Sequence, residues 1–297
     1  MTFAEHSASS ARWTTEPFLE ELRDWVESSV GRVLSMEQAK LRPWAGVWRV
    51  STADGVFYAK QNCEGQAFEA ALVAELAVLA PDHVVPVAAV DVARGLLLTV
   101  DQGPVFAETT ADDDLDAWCR LVTRAMELAR IVAPSMPVLS TLGLAEASPH
   151  PSVAADIEKV GALGLPVTLS HNDLHLHNAF DTAGGLRFFD FADSVAANPL
   201  SGLLVPLNEL AYFLDEPPPG DPRLRRVADA ALEVWSDVTP ISELRAALAS
   251  ALRLGRLGRA ESWRRTAASL APEDQAEYVG HCQQWIDMLP DEAPVSF

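Results

Sequence analysis

The sequence contains only three cysteines among its 297 residues, and no two of them form a CxxC pair. Cys63, Cys119 and Cys282 therefore predict neither a disulfide framework nor a cysteine-based zinc site, and they suit a reducing compartment. The chain also lacks an apolar run of the roughly 20 residues that a membrane helix requires. Its first residues, MTFAEHSASSARW, contain no basic segment followed by an apolar one. We therefore expect no secretion signal and a cytoplasmic protein.

Basic residues are scarce. The chain has 22 lysines and arginines against 42 aspartates and glutamates, which gives a formal net charge of −20 at pH 7. A surface of this sign repels the phosphates of nucleic acids and anionic lipids, so we expect neither as a partner. The same charge could attract a cationic substrate, or it could serve solubility alone, and both interpretations stay open.

The sequence has no glycine-rich pattern of the kind that binds phosphate groups. Such a loop uses glycine so that backbone amides can approach phosphate oxygens closely. The chain has no G-x-G-x-x-G pattern, and Gly46 is the one glycine in the strand pattern at 41–52. A turn at Ala53-Asp54-Gly55 predicts a partner strand at 56–61. The sequence leaves open how a triphosphate would be covered.

The most informative stretch is residues 169–193, LSHNDLHLHNAFDTAGGLRFFDFAD. It predicts a short apolar approach, a polar loop at 171–178 and a hairpin around a turn at 181–185. Asp173 and Asn178 then lie in one loop, and Asp190 lies at the end of the returning strand. Their order and spacing match the phosphoryl-transfer pattern H-x-D-x-x-x-x-N followed by D-F-G. This pattern predicts Asp173 as the catalytic base and Asn178 and Asp190 as ligands of a hard cation, Mg²⁺.

With these residues the sequence resembles the aminoglycoside phosphotransferase and choline kinase-like family, the small-molecule relatives of protein kinases. The family's loop commonly reads H-G-D-L-H-x-x-N, so Asn172 stands in place of glycine, and Ala192 replaces the glycine of D-F-G. The resemblance covers roughly residues 40–215. It implies an α+β, protein-kinase-like two-lobed fold with a small β-sheet lobe and a larger, mostly helical lobe. We place the lobe boundary between residues 1–101 and 102–297.

The resemblance also implies a nucleotide site. Lys60, at the end of a predicted strand, would hold the α- and β-phosphates, aimed by an acid on the helix predicted at 66–79. We choose Glu69 for that acid, with Glu75 second, because Phe68-Glu69-Ala-Ala-Leu72 resembles the family's pattern at this helix. The two acids are six positions apart and lie on different helix faces, so at most one can face Lys60.

The stretch Asp101-Gln102-Gly103 would be the hinge whose backbone binds the adenine edge. His171, His175 and Asp193 would brace the loop or contact substrate, and Asp193 could equally cap the next segment of the chain.

The implied activity is ATP-dependent transfer of the γ-phosphate, with Mg²⁺, to a hydroxyl of a small molecule. The acceptor would be an antibiotic of the aminoglycoside type or another natural product, modified as a resistance reaction. A metabolite such as choline, homoserine or a sugar is the alternative, and a nucleotide-binding module without transfer activity is another. A protein kinase is disfavoured because no recognisable activation segment follows Asp190. Oligomeric state and the choice between ATP and GTP are not readable from the sequence.

Two simpler interpretations compete for the central stretch. Asp and Asn in a loop often serve only as turn formers. Alternatively, His171, His175 and His177 could bind zinc, although a fourth ligand is lacking and no cysteine lies nearby.

The remaining patterns predict helices. They begin with an amphipathic helix around residues 18–26 and continue at 112–132, 153–163, 203–214, 222–237, 241–257, 258–270 and 273–288. An arginine-rich strip in the last third predicts a solvated face that could also contact an anionic group; its members are Arg253, Arg256, Arg259, Arg264 and Arg265.

Overall fold

The computed structural model describes residues 10–297 of the chain. Predictions that concern the first nine residues, including the absence of a secretion signal, lie outside the described part. Between residues 10 and 297, no helix has both the length and the apolar character needed to cross a membrane.

The N-terminal part is a five-stranded antiparallel sheet in the order β1-β2-β3-β5-β4, with one helix packed on its outer face and another beside it. Its elements are α1 (Glu16–Val30), β1 (Val33–Arg42), β2 (Ala45–Thr52), β3 (Val56–Asn62), α2 (Glu69–Leu79), β4 (Val87–Asp91) and β5 (Leu96–Val100).

Alternating side chains give this sheet two different faces. Trp48 and Val50 of β2 are buried and belong to the same core cluster as Phe18 and Leu22 of α1. The ring centroids of Phe18 and Trp48 lie 5.4 Å apart. The intervening positions of β2 face the opposite side, toward the rest of the molecule.

The single strand predicted at 41–52 is wrong: two strands meet there at a turn made by Pro43 and Trp44. Proline cannot donate a ladder hydrogen bond, so the chain turns at this point. β1 was missed because it is an edge strand whose residues are mostly exposed, and it therefore lacks the alternation that reveals a strand.

The C-terminal part is mostly helical. Its helices are α3 (Phe106–Thr109), α4 (Leu115–Val132), α5 (Met136–Thr141), α6 (Ala154–Gly161), α7 (Leu204–Phe213), α8 (Pro222–Glu233), α9 (Ile241–Ala268), α10 (Pro272–Tyr278) and α11 (Gly280–Asp287). Two small two-stranded sheets lie among them, formed by β6 (Thr168–Ser170) with β9 (Val195–Ala197) and by β7 (Ala179–Thr182) with β8 (Gly185–Phe188).

The long helix α4 shows why these helices form. Asp114 caps it by accepting from the amides of Asp116 and Ala117, and its apolar side chains recur on one face. Trp118 and Leu121 on that face are fully buried in the main core, which also contains Phe188 of the β7–β8 hairpin. This packing fixes the hairpin against the helical part.

The two helices predicted at 241–257 and 258–270 are one helix, α9, of 28 residues. Gly255 and Gly258 lie inside this helix. They are glycines because neighbouring chain segments leave no space for a side chain at these positions. A Cβ on Gly255 would lie 2.5 Å from the carbonyl oxygen of Ser201, and one on Gly258 would lie 2.9 Å from Oδ1 of Asn172. Conversely, the single helix predicted at 273–288 is divided into α10 and α11.

A close backbone approach at Gly65 joins the two parts of the molecule. Gly65 lies in the 3₁₀ turn Glu64–Gln66 that precedes α2, and a Cβ there would lie 2.1 Å from the carbonyl oxygen of Arg265 in α9. Any side chain must therefore move one part away from the other.

We predict that Gly65→Ala lowers the free energy of unfolding by about 1–3 kcal/mol, the usual cost of overpacking. Gly161→Ala is the matched control, since nothing lies within 4 Å of its Cβ position. Denaturant unfolding of both variants measures the difference. Equal stability of the two variants would contradict this contact.

Candidate active site

A cleft of about 520 Å³ lies between the sheet and the helical part. This volume is within the range of small-molecule sites. One end is apolar and is lined by Val85, Leu97, Val105, Phe180 and Phe189. The other end contains the charged residues of the 171–193 stretch and residues of β1, β3 and α9.

Lys60 lies at the centre of the charged end. Its ammonium group is 2.7 Å from Oε2 of Glu69 and 2.6 Å from Oδ1 of Asp190. Burial disfavours its charge, but Asp190 and Glu69 outweigh burial and raise the pKa of Lys60. The structure thus brings Lys60 to Glu69, the first of the two candidate acids, and not to Glu75.

Glu69 and Asp190 respond differently to this shared partner. Glu69 is completely buried, and burial raises its pKa although Lys60 and Asn62 oppose the effect. Burial also acts on Asp190, but the charge of Lys60, with a smaller contribution from Lys40, lowers its pKa. Asp190 has a left-handed backbone, with φ of 63°. Strain of this kind in a non-glycine residue persists only where the surroundings impose it, commonly at functional sites.

His171 links the loop at 171–178 to the segment that follows β8. It is buried, and its Nε2 donates a hydrogen bond to the carbonyl of Phe189 at 2.9 Å. Its ring packs against Phe191 with centroids 4.7 Å apart. Burial lowers the pKa of His171, so the imidazole is neutral at pH 7. These contacts are those of a loop brace.

The geometry explains why Asn172 can replace the family's glycine. Its φ is 65°, in the left-handed region, where asparagine is one of the few tolerated non-glycine residues. Its Nδ2 donates to the carbonyl of Asp193 (3.0 Å), and its own carbonyl accepts from Nη1 of Arg259 (2.7 Å). Gly258 of α9 leaves the space that the Asn172 side chain occupies.

Asp173 and Asn178 face each other across the loop. Nδ2 of Asn178 donates to the backbone carbonyl of Asp173 at 2.8 Å, which leaves the side-chain oxygen of Asn178 as its available ligand atom. The Asp173 carboxylate lies 3.1 Å from Nη1 of Arg259 and 3.6 Å from Nε2 of His175. Burial opposes its ionisation, but His175 and Arg259 outweigh burial and hold the pKa of Asp173 well below its usual range. Asp173 is therefore a carboxylate at neutral pH.

Asp193 lies on the same side of the cleft and has a different environment. Its carboxylate accepts a hydrogen bond from Ser262 of α9 and a longer one from Gln66 (3.5 Å). Burial raises the pKa of Asp193, with the charge of Asp173 adding to the effect and Arg259 opposing it. Asp193 thus lines the cleft and joins α9 to the segment after the hairpin.

The histidines do not form a zinc site. His171 uses Nε2 on Phe189, and Nδ1 of His175 accepts from the amide of His177 at 3.2 Å. Within residues 10–297, no group of three or more His, Cys, Asp or Glu side chains could hold a metal ion. The structure therefore does not bring these three histidines together as ligands of one ion.

Two oxygen donors at the charged end do fit Mg²⁺. Asn178 offers its side-chain oxygen, and Asp190 offers the carboxylate oxygen that Lys60 does not bond. Mg²⁺ is commonly bound by one or two protein oxygens together with substrate phosphates and water. A site with two protein ligands is therefore chemically sufficient, provided that a nucleotide supplies the others.

The predicted hinge is only partly at the cleft. Gly103 lines it, together with Thr99 and Val100, whereas Asp101 and Gln102 do not. The amide of Asp101 donates to the carbonyl of Val56, and the amide of Gly103 donates to Oδ1 of Asp101. The Gln102 side chain accepts from Nη1 of Arg187 at 2.9 Å, which ties the segment to β8. Asp101 and Gln102 thus shape the turn rather than the cleft wall.

The prediction that these five arginines form a solvated face is wrong for four of them. Arg256 is 3% exposed and donates to the carbonyls of Met288, Asp291 and Glu292. Arg253 pairs with Asp156, Arg259 with Asp173, and Arg265 with the carbonyls of Ala192 and Ser194. Only Arg264 is mostly exposed, pairing with Glu261 of its own helix.

Arg259 is a charged cleft residue to which the sequence analysis gave no role in the site. The spacing of the arginines along 253–265 mixes several helix faces, so no periodic signal separates a buried guanidinium from a solvated one. The one available hint was the pair of glycines beside it, which marks a close approach of α9 to another segment.

Aromatic rings close the outer end of the cleft. Trp44, in the β1–β2 turn, lies edge-on to Trp263 of α9 at 5.6 Å and to Tyr278 of α10 at 5.2 Å, measured between ring centroids. Trp44 and Trp263 both line the cleft. The cleft lining therefore includes aromatic surfaces as well as the carboxylates of Asp173 and Asp193.

Comparison with known proteins gives matches of structure alone. No protein-family model matches the sequence, and no curated protein matches it significantly. Among solved structures, an ethanolamine kinase from Plasmodium vivax has a TM-score of 0.62 at 12% identity, with 93% of this chain and 89% of that chain covered.

Two further structures are similar over almost their whole length. A mutant aminoglycoside 2′-phosphotransferase in its GDP complex has a TM-score of 0.55 at 11% identity, with 92% of this chain and 98% of that chain covered. A choline kinase from Streptococcus pneumoniae has a TM-score of 0.52 at 16% identity, with 91% and 98% covered. The predicted fold class is therefore confirmed: this chain has the α+β, protein-kinase-like fold of these small-molecule kinases.

Proposed function

We propose that the protein is an ATP-dependent O-phosphotransferase that transfers the γ-phosphate to a hydroxyl group of a small molecule. One observation carries the proposal: Lys60, held between Glu69 and Asp190, shares a single cleft with Asp173 and Asn178. The same cleft is lined in part by apolar side chains, among them Val85, Leu97 and Phe180, against which a nucleobase could pack. The fold of the neighbouring kinases supports the proposal.

The adenine ring would lie at the apolar end. Leu97 and Val85 would cover one side of it, and Phe180 and Phe189, whose rings stack at 4.7 Å, would support the other. Its edge would bind the chain beside Thr99, Val100 and Gly103, which line the cleft. Residues 1–101 and 102–297 are the two lobes of our proposal. The phosphates would then extend toward Lys60.

Lys60 would exchange its bond to Asp190 for bonds to the α- and β-phosphates, while its bond to Glu69 keeps the ammonium group in place. Bound at Asn178 and Asp190, Mg²⁺ would neutralise phosphate charge and orient the γ-phosphate. Asp173 would accept the proton of the attacking hydroxyl, or orient that hydroxyl, as a carboxylate held ionised by Arg259 and His175. Because such transfers have a loose transition state, this positioning and charge stabilisation would supply most of the rate.

For the acceptor we propose a hydroxyl compound that carries an amine, of the aminoglycoside antibiotic type, modified as a resistance reaction. Asp193 and the formal net charge of −20 favour a cation at this end of the cleft. The aromatic surfaces of Trp44 and Trp263 support a second candidate, a small amino alcohol of the choline type, since ammonium groups bind aromatic faces. We propose that the protein acts in the cytoplasm, where ATP is available and where its three free cysteines would stay reduced.

The proposed function is tested by incubating the protein with Mg·ATP, or Mg·GTP in parallel, and a pooled panel of amino-sugar antibiotics, amino alcohols and other hydroxylated metabolites. Mass spectrometry should find one product heavier by a phosphoryl group. Saturable nucleotide binding with no product from any acceptor would favour a binding module, and absence of nucleotide binding would refute the proposal.

Asp190→Ala should abolish transfer, because it removes the cation ligand and leaves Lys60 without its second carboxylate. Asp181→Ala is the matched control from the same hairpin, since Asp181 pairs with exposed Arg120 outside the cleft. Product formation with the accepted acceptor measures both. Activity of Asp190→Ala close to that of Asp181→Ala would contradict the cation site.

Asp173→Asn should lower turnover by about 100-fold to 10,000-fold, the typical contribution of a general base. The dissociation constant of Mg·ATP should change little, because Asp173 faces the acceptor. Initial rates and nucleotide titrations of the same sample separate the two effects. If turnover were normal, Asp173 would not be the base.

Arg259→Gln should shift the acid limb of the pH–rate profile to higher pH. Arg259 helps to keep the pKa of Asp173 depressed, so in the native protein Asp173 stays ionised as the pH falls. Without the guanidinium that pKa rises toward its ordinary value, and the carboxylate is lost at a higher pH. Arg264→Gln, on the same helix but mostly exposed, is the control. An unchanged acid limb in Arg259→Gln would show that Arg259 does not act through Asp173.

A further inference from the structure

The turn above the cleft offers few backbone donors for a triphosphate. β1 and β2 are joined by Pro43 and Trp44 alone, and proline has no amide hydrogen. Gly46 lies within the ladder, opposite Leu41 on one side and Gln61 on the other. A Cβ on Gly46 would lie 2.4 Å from the Trp48 ring, so glycine is needed there for packing and not for approach to a ligand. Side chains must therefore supply what the backbone does not.

The register of the sheet provides two such side chains. Lys40 lies opposite Val47, and Val47 lies opposite Lys60, so the three residues form one row across three strands. Paired residues project to the same face of a sheet, and all three line the cleft. Arg42, two residues after Lys40 and opposite Ala45, lies on that face as well.

A β-bulge is what turns Lys40 toward the cleft. Gln38 pairs with Trp48 and Lys40 pairs with Val47, so Ala39 is an extra residue that faces no partner. Without it, the alternation of β1 would place Lys40 on the opposite face of the sheet. Bulges of this kind commonly re-aim a side chain beside an active site.

Among the described basic residues that line the cleft and carry a permanent charge, Lys40 and Arg42 are the two that form no ion pair with a carboxylate. Five carboxylate residues line the cleft, namely Glu69, Glu108, Asp173, Asp190 and Asp193, against four permanently charged bases, Lys40, Arg42, Lys60 and Arg259.

Lys60 and Arg259 are already engaged by carboxylates. Lys40 and Arg42 form no ion pair with any residue in the 10–297 range, and both are exposed to the solvent of the cleft. An anionic polyphosphate entering this acidic surrounding needs just such free cations.

We propose that Lys40 and Arg42 bind the β- and γ-phosphates of the nucleotide from the sheet side, taking the role that a glycine-rich loop fills with backbone amides. The inference rests on the proposed function and deepens it. Neighbouring strands are about 4.8 Å apart, so the backbones of Lys40 and Lys60 are separated by roughly 10 Å. A polyphosphate between them is within reach of both flexible side chains. Arg42, nearer the turn, would contact the terminal phosphate.

The test is calorimetric titration of the full chain with Mg·ATP and with AMP, which keeps only the phosphate nearest Lys60. Lys40→Gln and Arg42→Gln should each raise the dissociation constant of Mg·ATP about threefold to tenfold, as expected for exposed charge-assisted contacts. The affinity for AMP should not change. Lys40→Arg should restore ATP binding, since it keeps the charge.

Arg32→Gln is the matched control, because Arg32 is exposed just before the other end of β1 and does not line the cleft. Melting curves of each variant confirm that the exposed substitutions leave the fold intact.

Equal ATP affinity in Arg32→Gln and in the Lys40→Gln/Arg42→Gln double variant would overturn this inference alone. Equal losses for ATP and AMP would overturn it too, since the two residues would then not act on the distal phosphates. A native protein that binds no Mg·ATP would overturn both this inference and the proposed function.

Discussion

The ammonium group of Lys60 lies between the carboxylates of Glu69 and Asp190, at 2.7 and 2.6 Å. These three residues come from β3, from the start of α2 and from the segment after β8, so one charge cluster joins the sheet to the helical part. Removing Lys60 would leave Glu69, which has no exposed surface, as an unpaired buried acid. In our proposal, Lys60 would exchange the Asp190 carboxylate for a phosphate, so its charge would stay paired throughout.

The packing of α9 helps to keep the Asp173 carboxylate ionised. Gly255 and Gly258 allow the helix to approach the backbone around Ser201 and the side chain of Asn172. That approach brings Arg259 to 3.1 Å from Asp173, where it helps to hold the carboxylate ionised. The close packing of α9 therefore also sets the electrostatic environment of Asp173. A change that thickens the helix at these glycines would act on the chemistry as well as on stability.

Local sequence signals were enough to predict the central loop. Contacts between residues far apart in the sequence could not be predicted from such signals. His171, Asp173, Asn178 and Asp190 lie within 20 residues of one another, so motif spacing and one hairpin are enough to bring them together. Arg259 reaches Asp173 from 86 positions along the chain. The glycines at 255 and 258 indicate a close approach of the helix but do not identify the segment that it contacts. β1 escaped detection because an exposed edge strand has no alternation, and the register that turns Lys40 toward the cleft depends on a bulge at Ala39.

A crystal structure of the protein with Mg²⁺ and a non-hydrolysable ATP analogue tests the central role of Lys60 most directly. The phosphates should lie between Lys60 and Asp190, with the Lys60–Glu69 bond kept, the Lys60–Asp190 bond broken, and the metal on Asn178 and Asp190. The terminal phosphate should face Asp173. A nucleotide bound elsewhere, or one that leaves the Lys60–Asp190 pair intact with no metal at Asn178, would contradict a phosphoryl-transfer site in this cleft.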